Sequence, residues 1–315
     1  MEELKHQIKM QATANIFQTM GREVAGHKVI EQFKSMPDAK LNMLGFYAGI
    51  KSEHLPIYRK LTRGEKNEFT EKLNTFKDEL KTGDVVLVTG TSNSSKILAS
   101  LQKTVYSNAR SSHVVIVQAD FICIDAVPKI GVSLKLISEV LKDVKDDWRI
   151  IRFKGLKEKD NELLSKTCAY YIKQPYVILP KRKPAKKFSY CSELARKVYV
   201  DSKIKNTGIP NNTIIKPCDF DKIADQNSHW LDITDSVKPY IEFCIKYEDI
   251  LKFISKSFTQ GIDLNRQRFS ERRKTKESIS KMHKKGEISS SGAAQIKNKI
   301  ESLEKSLNYK FWDHQ

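Results

Sequence analysis

The feature that most constrains this fold is a change of hydrophobic period at Gly83. Before it, apolar residues recur mainly at helical spacing. After it come short, largely β-branched runs separated by turn residues, at positions 84–89, 113–118, 121–127 and 148–153. The second and third runs predict a hairpin that turns at residues 119 and 120. The sequence therefore predicts an α+β fold in which mainly antiparallel strands pack beside helices.

Helical periodicity marks both ends of the chain. Apolar residues recur at intervals of four over residues 1–35 and again at helical spacing over 65–80, which predicts that the first eighty residues are all helical. Further helices are predicted at 136–141, 159–173 and 191–201. Near the C-terminus, Lys285, Gly286 and Glu287 interrupt a helical pattern, and this predicts an antiparallel helical hairpin.

These patterns divide the chain into three parts. We predict an N-terminal helical segment over residues 1–79, an α+β domain over 80–245 and a basic C-terminal helical hairpin over 246–315. An amphipathic helical pair is typical of an oligomerisation or partner-docking element, and equally of a helical cap on the main domain.

Charge and hydropathy argue against several classes of protein. The 315 residues include 56 Lys and Arg against 38 Asp and Glu, giving a net charge of +18, and 39% are hydrophobic, which is enough to close a core. No apolar run reaches the roughly 18 residues of a membrane helix, and no cleavable signal peptide is recognisable, so we expect a cytoplasmic protein or one exported without such a signal. Nucleic-acid binding is the least favoured function, because the lysines are dispersed and no aromatic-basic recognition motif is present.

The cysteines point to one reactive thiol. They are five in number and include no C-x-x-C pair, which argues against a disulfide framework and a zinc site, so we predict no metal and no cofactor. Cys191 stands apart because it begins a predicted helix directly after a lysine-rich run, and both features lower a thiol pKa. Cys123 and Cys168 are predicted to be buried small hydrophobic residues.

A nucleophilic cysteine needs a base, and His113 is the best candidate because it heads a predicted strand. His229, beside Trp230, is its rival. Asp125 lies on the following strand and would orient the imidazole, provided that an odd-numbered loop puts both side chains on one face of the hairpin. The structural alternatives are a hydrogen-bonded histidine and a strand-end carboxylate bound to a backbone amide.

A dense positive run precedes the cysteine. Pro184 interrupts it and prevents a regular helix. We predict a loop that attracts an anionic substrate or an anionic lipid surface, with a strong salt dependence. A solvated loop without a function is the alternative. The charged residues are Lys181, Arg182, Lys183, Lys186 and Lys187.

Four short motifs follow one another in a familiar order: S-S-H-V at 111–114, I-D-A-V at 124–127, K-Q-P-Y at 173–176 and Y-C-S-E at 190–193. They resemble the circularly permuted papain-like hydrolases of the YiiX and YaeF group, which are related to the NlpC peptidases. The order His, acid, Cys is that of the permuted form. The resemblance covers roughly residues 80–235 and implies a permuted papain-like core flanked by the helical segments.

The resemblance also implies roles for individual residues. Cys191 is the implied nucleophile and His113 the general base and acid. Asp125 stands where the family commonly has glutamate or another polar residue. Tyr190 would lie near the oxyanion or serve as a packing residue, and the backbone N–H of Cys191 is the more secure oxyanion donor.

The implied activity is a thiol hydrolase that acts on the amide, ester or thioester bond of an acyl or peptide-like substrate. Acyl transfer to a lipid acceptor would use the same residues. The alternative from another class is a catalytically silent scaffold that binds a partner through its helical ends.

Overall fold

The computed structural model describes residues 31–177, 188–211 and 213–306. Its centre is a six-stranded sheet in the order β4-β3-β2-β1-β5-β6, and every neighbouring pair is antiparallel. The α+β class predicted from the sequence is confirmed. The strands are β1 (Val85–Val88), β2 (His113–Ala119), β3 (Ile122–Val127), β4 (Gly131–Leu136), β5 (Arg149–Phe153) and β6 (Trp230–Asp232).

Helices precede, interrupt and follow the sheet. Those before it are α1 (Asp38–Ala48), α2 (Leu55–Arg63) and α3 (Glu68–Leu73). Those between the strands are α4 (Asn93–Gln102), α5 (Ile137–Val140), α6 (Glu158–Tyr171), α7 (Cys191–Asp201) and α8 (Pro217–Gln226). Those after it are α9 (Thr234–Lys246), α10 (Glu248–Lys284) and α11 (Ser290–Ser306).

The sheet has a hydrophobic core on each face. Val85 and Leu87 of β1 pack in the core formed with α6, α7 and α8, whereas Val86 and Val88 pack in the core formed with α1, α2, α3, α9 and the start of α10. A strand that is buried on both faces has no polar side to alternate with, which explains its unbroken apolar sequence.

Several predicted elements have different bounds in the structure. The helix predicted over 65–80 is limited to α3, and the helix predicted over 136–141 is only the short α5. The hairpin turns at residues 120 and 121, one position later than predicted. Strand β4 was not predicted at all. The helix predicted at 191–201 matches α7 at both ends.

The helical hairpin near the C-terminus is confirmed. Helices α10 and α11 pack on each other, and Lys276 Nζ lies 2.6 Å from Glu301 Oε1 between them. The first half of α10 is part of the folded core, because Ile250 and Leu251 are buried on one face of the sheet and Ile262 on the other. Oligomerisation or docking through this hairpin remains a prediction.

The N-terminal prediction is tested only in part. The helix predicted over residues 1–35 lies mostly outside the described residues. From residue 31 to residue 80 the regular structure is helical. Helices α1 and α2 are followed by Gly49 and Gly64, which both have the left-handed conformation that glycine adopts readily. Within the three described ranges, every helix is too short or too polar to cross a bilayer.

Candidate active site

His113 and Asp125 meet across the β2–β3 hairpin. The Nε2 atom of His113 lies 2.6 Å from Oδ1 of Asp125. Asp125 is almost fully buried, with 3% of its side chain exposed, while the His113 side chain is 24% exposed. The predicted pair is therefore brought together, at the end of the sheet where β2 begins.

A β-bulge places the two side chains on one face. The turn at residues 120 and 121 is even in length, which by itself would put His113 and Asp125 on opposite faces. The register shifts between Val117 and Ala119, so that Gln118 is an extra residue in β2. The bulge thus supplies the odd residue that the sequence argument required of the loop.

A third charged side chain, Lys135 on β4, lies beside His113 and Asp125 and was not predicted from the sequence. Lys135 Nζ lies 2.8 Å from Oδ2 of Asp125, so the two carboxylate oxygens have different cationic partners. Asp125 pairs with Ser133, and Lys135 is two residues further along β4 on the same face. The alternation of Val132, Leu134 and Leu136 with polar residues is a signal from which this strand could have been predicted.

Cys191 is the first residue of α7 and approaches His113 from the helix side. Its side chain is buried, with 6% of the residue exposed. Burial opposes ionisation of the thiol, but the charge and contact of His113, assisted by the Val114 amide and the Ser192 hydroxyl, more than offset it. The pKa of Cys191 is therefore lowered below its ordinary value.

The pKa values of the other two members are shifted in the complementary directions. Burial lowers the pKa of His113, but the charges of Asp125 and Cys191 outweigh it and hold that pKa well above 6.5. Burial raises the pKa of Asp125, and the nearby His113 and Lys135 reverse this and bring it to about 2. The shifts of all three groups therefore favour an imidazolium that lies between a carboxylate and a thiol whose ionisation is eased.

Two tyrosines adjoin the thiol. Tyr190 precedes Cys191, and its hydroxyl is buried. Tyr176 is partly exposed, and burial together with the charges of Cys191 and Asp125 raises its pKa to about 12. Burial raises the pKa of Tyr190 as well, so each hydroxyl stays protonated at neutral pH.

The chain leading into Cys191 is held by backbone pairing. The Val132 amide donates to the Gln174 carbonyl at 2.9 Å, and the Ser189 amide donates to the Pro175 carbonyl at 3.1 Å. Gly131 permits the first contact, because a Cβ at this position would overlap the Gln174 carbonyl. The edge strand β4 thus fixes the segment next to the nucleophile.

A buried lysine also fastens this segment. Lys197 on α7 is 1% exposed and donates to the Ser189 hydroxyl at 2.8 Å, to the Gln174 side-chain oxygen at 3.2 Å and to the Phe188 carbonyl. Burial lowers its pKa to about 8, although the charges of Glu193 and Asp201 favour the ammonium.

The other candidate thiols and histidines have ordinary structural environments. All five cysteines are free, and the prediction that Cys123 and Cys168 are buried small residues is confirmed. Cys218 also lies at a helix start, on α8, but burial raises its pKa to about 11. The rival His229 is exposed beside β6.

The lysine-rich run falls outside the described residues. It comprises Lys181, Arg182, Lys183, Lys186 and Lys187. The predicted anion-attracting side chains are therefore not placed by the structure.

Over residues 31–177, 188–211 and 213–306, no group of three or more His, Cys, Asp or Glu side chains is arranged to hold a metal ion.

Comparison with known proteins gives one weak structural neighbour. No family model matches this chain, and no curated protein matches it. The crystal structure of the metalloprotein YiiX from Escherichia coli O157:H7 is similar to 49% of this chain and to 97% of its own chain. The sequence identity is 18% and the TM-score is 0.39.

Proposed function

We propose that this protein is a cysteine hydrolase in which Cys191, His113 and Asp125 form the catalytic triad, on a permuted papain-like core. The observation that carries the proposal is the contact of a helix-start thiol with an imidazole whose other nitrogen is 2.6 Å from a buried carboxylate. A histidine with a purely structural role needs no neighbouring thiol, whereas a catalytic histidine must lie beside the nucleophile whose pKa it lowers.

The reaction follows from the charges of the triad. The Cys191 thiolate attacks the acyl carbon of the substrate, and the negative charge passes to the acyl oxygen. The backbone N–H groups at the start of α7, the positive end of the helix dipole, stabilise that oxyanion. His113 donates its proton to the leaving group as the bond to the acyl carbon breaks, which leaves a thioester on Cys191.

Deacylation uses the same residues. Water attacks the thioester carbon while neutral His113 accepts its proton, and breakage of the C–S bond returns the thiolate and the imidazolium. Asp125 holds His113 through Nε2, so the other ring nitrogen, Nδ1, is the one that serves the thiol and the leaving group.

The substrate is proposed as an acyl or peptide-like compound with an amide, ester or thioester bond. This class follows from the nucleophile, since all three bonds present an acyl carbon to a thiolate. Replacement of water by another acceptor in the second step would make the same site an acyltransferase.

The experiment is to trap the acyl-enzyme. A p-nitrophenyl acyl ester, an acyl thioester and a peptidyl p-nitroanilide would each be mixed with the protein, and intact mass would be recorded together with release of the leaving group. We expect one acyl group on Cys191 of the wild type with at least one reporter, and none on Cys191→Ala.

Cys218→Ala is the matched control. Cys218 also lies in the first turn of a helix and is buried, but its pKa is raised rather than lowered, so this variant should acylate like the wild type. Equal acylation of the wild type and Cys191→Ala by every reporter that reacts, or no reaction with any reporter, would contradict the proposal.

A further inference from the structure

Three charged side chains cross the sheet in a row. His113 on β2, Asp125 on β3 and Lys135 on β4 share one face, and Asp125 stands between two cations. Its oxygens are 2.6 Å from the His113 imidazole and 2.8 Å from the Lys135 ammonium. Lys135 is 28% exposed, so its ammonium has access to solvent and still binds the buried carboxylate.

We propose that Lys135 is a positioning residue of the active site, which fixes the Asp125 carboxylate and neutralises it during the part of the cycle in which His113 has given up its proton. This inference rests on the proposed function, because it concerns how His113 exchanges a proton with the thiol and the leaving group.

The need for a second cation comes from the burial of Asp125. A buried carboxylate without a counter-charge is costly and tends to take up a proton. His113 supplies a charge only while it is an imidazolium, whereas Lys135 gives up no proton in the proposed reaction. With Lys135 present, Asp125 remains ionised when His113 is neutral, and it binds the imidazolium proton less tightly. His113 is then a stronger acid towards the leaving group.

Other ionisable groups surround this row. Cys191 on α7 interacts with His113, and the charges of Cys191 and Asp125 act on Tyr176. Glu139 on α5 interacts with Lys135 and is paired with Lys252 of α10 at 2.6 Å. Lys135 contacts Asp125 directly, so its removal takes one partner from the carboxylate, while Glu139 keeps its pairing with Lys252.

The test is a direct titration of His113 by NMR. Protein with 13C-labelled histidine would carry Cys191→Ala, which removes the thiolate from the titration, and loss of one signal in His113→Ala identifies His113. In this background, Lys135→Gln should raise the pKa of His113 by about one pH unit, because the positive charge on the other oxygen of Asp125 is lost. Lys135→Arg, which keeps the charge, should leave it unchanged.

Lys129→Gln is the matched control for charge loss. Lys129 is an exposed lysine in the turn between β3 and β4, and we expect its replacement to leave the pKa of His113 unchanged. Lys135→Met provides a second uncharged variant should Lys135→Gln fold poorly. An unchanged pKa of His113 in both uncharged variants would overturn the inference. The titration does not depend on turnover or on the thiol, so it stands even where the acylation experiment fails.

Discussion

Replacing Asp125 by Asn should lower the free energy of unfolding by the amount that His113 and Lys135 contribute through the charged carboxylate. Interactions with His113 and Lys135 lower the Asp125 pKa from 3.8 to about 2 despite burial. Each tenfold change in an ionisation constant corresponds to about 1.4 kcal/mol, so the charged carboxylate contributes about 2 kcal/mol at pH 7. The side chain is 3% exposed, so solvent screening does not reduce this value appreciably.

The sign follows from the lowered pKa. An aspartate whose pKa is lower in the folded protein stabilises the fold above its unfolded pKa, and this contribution is lost as the pH falls towards 2. Urea unfolding at pH 7, followed by tryptophan fluorescence, should therefore show Asp125→Asn to be less stable than the wild type by about 2 kcal/mol. Its turnover should fall by about 10²–10⁴-fold, since His113 loses the group that orients it.

Asp120→Asn is the matched control. Asp120 is exposed in the turn of the same hairpin at a φ of 47°, a conformation that asparagine also tolerates, and it should have nearly wild-type stability. The reasoning is refuted if Asp125→Asn unfolds within about 0.5 kcal/mol of the wild type at pH 7, a difference typical of surface substitutions.

Two further predictions concern residues that support the site and the core. The pKa of Lys197 is lowered to about 8, so the folded protein disfavours its ammonium. Between pH 8 and pH 10 the free energy of unfolding should therefore rise by about 2 kcal/mol more in the wild type than in Lys197→Met. Urea unfolding with the same pH dependence in both proteins would contradict this. Asp249 accepts from His54 Nδ1 and from the Lys51 amide, each at 2.8 Å, so Asp249→Ala should cost about 2–3 kcal/mol of unfolding free energy. Glu53→Ala removes a 70% exposed partner 3.8 Å from His54 and should cost less than about 1 kcal/mol; equal losses in the two variants would refute the distinction.

Elements with a strong local signal were predicted well from the sequence. Runs of β-branched residues predicted β1, β2, β3 and β5. The spacing of apolar residues predicted α7 with the bounds that it has in the structure. Strand β4 was missed because it is a partly exposed edge strand that follows a tight turn. The helix predicted over 65–80 is shorter because its second half packs as irregular chain, where Phe76 contacts Tyr240 and Phe243 of α9.

The site was predictable in its members but not in its geometry. Helix-start chemistry singled out Cys191, and the strand start singled out His113, both from local sequence. The bulge at Gln118 has no such signal, although the shared face of His113 and Asp125 depends on it. Lys135 acquires its role only through strand pairing, which is a tertiary property.

If His113 activates the Cys191 thiol, the rate at which iodoacetamide alkylates this residue must depend on His113 and on pH. The other four cysteines are buried at 0–1% exposure and have raised pKa values, so Cys191 should be the residue labelled. We expect rapid labelling of the wild type well below pH 8, and a shift of that reactivity in His113→Ala towards the ordinary thiol range near pH 8.5 or above. The same pH profile in both proteins would contradict it.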